Sequence, residues 1–209
     1  LLRHEAADRF DGSIWFAALM TIFDLRPLAQ LAAERLGEAE ANVRRDATVG
    51  GHRFDAELAE RRFRETAVIE PIELLLEKGS TTTTPQDHGA ARVELRLPFN
   101  GDSEALRCFP DGFDPQEVEG ELVGPQDSNF AGAVTVGRVF AGMDLTERAI
   151  TAWRSEWVKE VKGWVDKLNI AIRQLNAAVN DEARNLFAAL DADRRHIEEV
   201  SDAVDGPGL

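Results

Sequence analysis

DLTERAITAWRSEWVKEVKGWVDKLNIAIRQLNAAVNDEARNLFAALDADRRHIEEVS, residues 144–201, decides the fold. Apolar residues recur at Ile150, Trp153, Trp157, Val161, Trp164, Leu168, Ile172, Leu175, Val179, Ala183, Leu186, Leu190 and Ile197, passing over one turn at Arg194. Steps of three, four and four place one apolar stripe along a helix. That is an eleven-residue repeat, which keeps the seam nearly straight instead of winding it into a left-handed supercoil. Asp144, with Glu147 three residues later, reads as the N-cap of a capping box. Asn180-Asp181-Glu182 offers a second cap, but the hydrophobic phase crosses it without a slip, so a continuous or mildly kinked helix is expected, about 85 Å long if unbroken. Gly163 is a weak point, costing about 1 kcal/mol relative to Ala.

Upstream, the period changes twice. Residues 1–79 read as helical. An apolar cluster from Ile14 to Phe23 needs burial, and Pro27 suits a first helical turn. Leu28, Leu31, Ala32 and Leu36 mark one helix face, and Gly50-Gly51 breaks it. Phe54, Leu58, Ile69, Ile72, Leu75 and Leu76 mark a further helix, stopped at Glu77-Lys78-Gly79 and kinked or divided at Pro71. Ser80 to Asp87 reads as a polar loop and a seam in the chain. From Ala91 to Leu97 apolar and charged residues alternate, which is a strand with one wet face. Asn100-Gly101 reads as a turn into a partner strand, Glu104 to Phe109. Two more strands are expected over 117–123 and 130–140.

The predicted architecture is therefore α+β, with N-terminal helices (1–79), a small antiparallel β-sheet or sandwich (88–142) and a long C-terminal helix (144–201) able to form a coiled coil. Residues 202–209 form a linker or tail. The chain begins Leu1-Leu2-Arg3, without an initiator Met, and ends in Gly206-Pro207-Gly208-Leu209, which reads as part of a longer protein.

Composition narrows the function. The net charge of −14 argues against a phosphate-driven nucleic-acid binder and leaves direct DNA binding a minor option, and no segment forms a basic stripe. No apolar run is long enough for a membrane span. Cys108 is the single cysteine, which rules out an internal disulfide and a cysteine-rich zinc site and points to a reducing, cytoplasmic compartment.

Catalytic and metal signals are weak throughout. Asp111, Asp114, Glu117, Glu119 and Glu121 invite a cation, but they lack calcium-loop spacing. Alternate strand positions paired with Arg92 and Arg96 explain the last three more simply. Nothing places Cys108 beside His88 as a nucleophile and base, and a lone buried Cys behaves as a small hydrophobe. His4, His52 and His196 lack ligand spacing. Gly132 and Gly137-Arg138 mimic a phosphate loop without its Lys or Ser/Thr. The run Arg61-Arg62-x-Arg64 sits among glutamates and reads as a surface helix. No catalytic residue, metal ligand or cofactor is expected.

The tryptophans are the most informative residues. Trp153, Trp157 and Trp164 share a face, either docked on the sheet or helices as core or serving as anchors for a partner. With Leu175, Val179, Leu186, Leu190 and Ile197 they form the candidate partner interface, for a second copy or another protein.

From Val93 onward the chain carries a strand leading into Pro98-Phe99-x-Gly101-Asp102, then Phe109-Pro110 and a strand from Pro115 to Leu122. Leu175-Asn176-x-x-Val179 and Arg194-Arg195 follow on the helix. Together these resemble a module of bacterial multidomain proteins in defence-type neighbourhoods. There it lies upstream of an effector domain, often restriction-endonuclease-like (Mrr-type) or Toll/interleukin-receptor-like. The resemblance covers about half the chain in short motifs, and Asn100 stands where the pattern has Thr. It implies a non-catalytic sensing, scaffolding or oligomerising region controlling an effector outside these residues. The alternatives are a stand-alone structural or adaptor protein using the long helix, or a ligand-binding domain with polar groups converging near Arg107, Cys108 or Arg138.

Overall fold

The structure, a computed structural model, describes residues 26–110, 118–124 and 130–205. The Ile14–Phe23 cluster, the acidic residues Asp111, Asp114 and Glu117, and the terminal glycines lie outside these residues. Strand β1 (Arg26–Pro27) leads directly into helix α1 (Leu28–Gly50), and a short 3-10 turn connects it to α2 (Ala56–Ala67). Pro27 is the N-cap of α1. Gly51 ends α1 at φ 48°, where a side chain would be strained. Asp55 caps α2 by accepting from the Leu58 amide at 3.0 Å.

α2 stops at Ala67, well short of the expected Gly79. The chain turns extended because Pro71 disfavours helical backbone at the residue before it and supplies no N–H. Ile69 and Ile72, expected on a helix face, sit instead in an extended run that is buried at 0 % and 3 % exposure.

β2 (Glu73–Leu74), a 3-10 excursion, and β3 (Ser80–Pro85) lie one after the other along the same edge of β4 (Ala90–Asn100). The Leu75 amide donates to the Pro98 carbonyl at 2.9 Å, carrying the ladder between them. Ser80–Pro85 is thus a strand and not the expected polar loop. Threonine is β-branched and suits extended backbone. All six residues are exposed, so no alternation of apolar and polar residues marks the strand.

Helix α3 (Ser103–Leu106) and β5 (Cys108–Phe109) replace the expected hairpin strand over 104–109, and β5 pairs in parallel with β1. Asp102 captures the chain as a helix cap, accepting from the Glu104 and Ala105 amides. The true neighbour of β4 is β7 (Gly132–Ala141), in register from Ala90↔Ala141 to Phe99↔Gly132, with β6 (Glu121–Val123) beyond it. Among the described residues these strands make one antiparallel sheet, not a sandwich. Glu121 aligns with Thr135, and Thr135 with Arg96, so a threonine stands between the carboxylate and the arginine expected to be neighbours.

Helix α4 (Glu147–Asp205) is continuous through Gly163 and Asn180. Its cap is Thr146, whose Oγ1 accepts from the Ala149 amide at 3.2 Å, rather than Asp144, which lies in a preceding 3-10 turn. α4 lies across the sheet with Val161, Trp164, Leu168 and Ile172 facing Val93, Leu95, Leu97 and Val134. Farther along, it packs on α1 and α2, where Val179, Ala183 and Leu186 meet Ala39, Val43, Ala59 and Phe63.

Candidate functional site

Seven of the eight candidate interface residues are absorbed into this chain's own packing. Trp153 meets Phe140 edge to face at 5.4 Å between ring centres. Trp157 is buried and donates its indole N–H to the Glu119 carbonyl at 2.8 Å. Trp164 is buried at 2 % exposure beneath the sheet. Leu175 packs at the margin of the sheet core. Val179 and Leu186 are buried against the helical pair, and Leu190 closes its edge. Ile197 is 62 % exposed. Beyond Asp191 every described side chain of α4 is exposed.

Between the two packed regions lies a polar clamp. The Asn176 side chain accepts from the Ile69 amide at 3.0 Å and donates to the Ile69 carbonyl at 2.8 Å. Asn169 does the same for Ile72, at 2.8 Å in both directions. The match is geometric. Seven residues of helix rise about 10.5 Å, and three residues of extended chain span about 10 Å, so two amides two turns apart meet two peptides three residues apart. Each asparagine thus acts as one rung of a neighbouring strand. Sequence reasoning quoted Asn176 but gave it no role, and it overlooked Asn169. The signal was present, since each follows a seam leucine, Leu168 and Leu175, seven residues apart.

The opposite side of that run is held by the Asn100-Gly101-Asp102 turn. Gly101 has φ +98°, and a Cβ there would lie 2.1 Å from the Pro71 carbonyl oxygen, so only glycine fits. The Asp102 amide donates to the Glu70 carbonyl at 3.3 Å. The Asp102 carboxylate also binds the Arg35 guanidinium, which reaches Glu104 at 2.9 Å. The Pro-Phe-x-Gly-Asp stretch is therefore a structural fastener joining α1, α3 and the 69–72 run. On the helix side, Asn180 accepts from Arg64 of α2 at 2.8 Å, so the residue that offers a second cap in the sequence ties α4 to α2.

The reactive candidates do not converge. Cys108 is 1 % exposed, its thiol donates to the Glu104 carbonyl at 3.3 Å, and burial pushes its pKa up to about 11. It is a neutral thiol, unsuited to nucleophilic attack. His88 precedes β4 while Cys108 follows it, and β4 alone is about 33 Å long. Arg138 stacks on the Phe140 ring at 5.4 Å from its centre. Among the described residues no group of His, Cys, Asp and Glu side chains could hold a metal ion, and no helix is long and apolar enough to cross a membrane.

A cleft of about 370 Å3 does open elsewhere, between the β3–β4 edge and the first turns of α4. Leu95, Leu97, Trp157 and Val158 line its apolar part, while Ser80, Arg96, Thr151, Arg154 and Ser155 supply polar groups. None of Arg107, Cys108 and Arg138 contributes to it.

Fold and site together define a mixed helix-and-strand protein in which an antiparallel sheet and a helical pair share one long helix. Compared with known proteins, the chain matches no family model, no curated protein and no solved structure.

Proposed function

We propose that this chain is a non-catalytic sensing and oligomerisation module of a bacterial antiphage defence protein. It works by protein–protein contact in the cytoplasm and controls an effector domain outside these residues. The observation that carries this reading is the path of α4. One unbroken helix is fastened to the sheet, to the 69–72 run and to the helical pair, then continues with every described side chain exposed from Ala192 to Ser201, about 15 Å. A rod anchored at several points and free at one end transmits displacement from the sheet to whatever its free end holds. The stretches that resemble the defence-associated module, Gly101-Asp102 and Asn176, are among the anchors. Light scattering across a wide concentration range tests the self-association. A mass of two or more chains is expected, and a clean monomer at high concentration ends the oligomerisation reading.

The cleft favours a second reading, a ligand-binding domain. Its lining combines an apolar floor with Arg96, Arg154, three hydroxyls and no carboxylate, in a chain of net charge −14. Such a lining suits a small amphipathic anion. A panel of aliphatic and aromatic carboxylates should raise Tm in the native chain and not in Arg154→Glu. Failure of every member to do so retires this reading.

A further inference from the structure

We infer that the outer edge of β3 pairs with the same strand of a second copy, joining two sheets into one. This rests on the proposed self-association and moves its seat from the helix seam to a strand edge. β3 is bonded to β4 on one side, and among the described residues no strand pairs with its other side. An open edge offers a row of unpaired N–H and C=O groups, which proteins ordinarily guard with charges, bulges or proline. β3 carries no charge, and its one proline, Pro85, stands at its end and leaves Ser80 to Thr84 unguarded. Gly79 to Gln86 carries no charged residue, so two copies of a chain at −14 meet there without the repulsion that their surfaces exert elsewhere.

The strand is also complementary to itself. A two-fold axis perpendicular to the sheet makes the two strands antiparallel and keeps like faces together, so opposed residue numbers sum to an even value. Centred on Thr82, the pairing sets Thr82 against Thr82, Thr81 against Thr83 and Ser80 against Thr84. Pro85, which has no N–H to give, then falls outside the ladder. Centring on Thr83 would draw Pro85 in, opposite Thr81. Threonine pairs of this kind are favourable cross-strand neighbours. The contact is closed, because each copy spends its β3 edge on one partner.

The test uses charge at Thr81 and Thr83, which are exposed and lie opposite Leu95 and Val93 of β4. Thr82 is a poorer choice, since Glu94 lies opposite it and would neutralise a lysine. The double variants T81K/T83K and T81E/T83E should each keep the native circular dichroism and raise the dimer dissociation constant roughly tenfold or more. Mixing the two variants should restore dimers, because lysines of one copy then face glutamates of the other. A dimer that persists in either double variant overturns the inference, as does a mixture that stays monomeric. If dimers survive both double variants but are lost in Ile197→Ser, self-association stands through the helix and only this inference falls. A native chain that is monomeric at all concentrations sinks both.

Discussion

The same helix is covered in two different ways along its length. Over the sheet it presents Trp153, Trp157, Val161, Trp164, Leu168 and Ile172. Over α1 and α2 it presents Val179, Ala183, Leu186 and Phe187, facing Ala39, Val43, Ala59, Phe63 and Ala67. The spacing does not change, but the side chains do: three indoles lie over the sheet, while alanines and the edge-to-face pair Phe63–Phe187 fill the contact with the helices. A constant period therefore serves two different partners with different side chains. A third stretch, past Asp191, keeps part of the pattern in Ile197 and Val200, and nothing in the described chain covers it.

Trp164→Ala should break the sheet side outright. Losing a fully buried indole costs about 3–5 kcal/mol, read as a lower urea midpoint and faster amide exchange in β4 and β7. Asn176→Ala comes next, at about 2–4 kcal/mol, because it removes two hydrogen bonds and strands the buried Ile69 amide and carbonyl. Its mark is accelerated exchange at Ile69. A purely apolar contact at Asn176 would not produce that change. Leu186→Ala should cost about 2 kcal/mol and act locally, loosening α1 and α2 while the amides of β4 stay protected. Equal loss of protection in both regions would show that the two covers form one cooperative unit. Ile197→Ser should change stability by less than about 0.5 kcal/mol, since the side chain is exposed. A larger loss would mean that the free end of α4 is covered in solution.

The elements that were legible in the sequence are those buried on one side. The α4 seam from Ile150 to Leu190 and the alternation of Ala91 to Leu97 follow from one-sided burial, which writes a period into the chain, while the α1 stop at Gly50-Gly51 follows from the backbone freedom of glycine. Ser80–Pro85 escaped because both of its faces meet solvent, so its threonines alternate with nothing. Ile69 and Ile72 were misassigned for the opposite reason. Their run is gripped on two sides, and an isoleucine pair three apart fits a helix face as well as an extended segment. Asp102 could be read as part of a turn, and its capping of α3 is equally local, but its bond to Arg35 depends on α1, far away in sequence.

By itself the sequence determined that a long helix runs through the last third of this protein and which of its faces is buried. Composition also set aside a basic nucleic-acid surface. Only the tertiary structure decided what covers that face. The asparagine clamp joins residues 107 and 97 positions apart, and Asn180 meets Arg64 across 116. Periodicity is a local property, because each residue's place on a helix follows from its near neighbours alone. The choice between a sheet, a helical pair and open solvent depends on where distant segments arrive, and no local pattern records that.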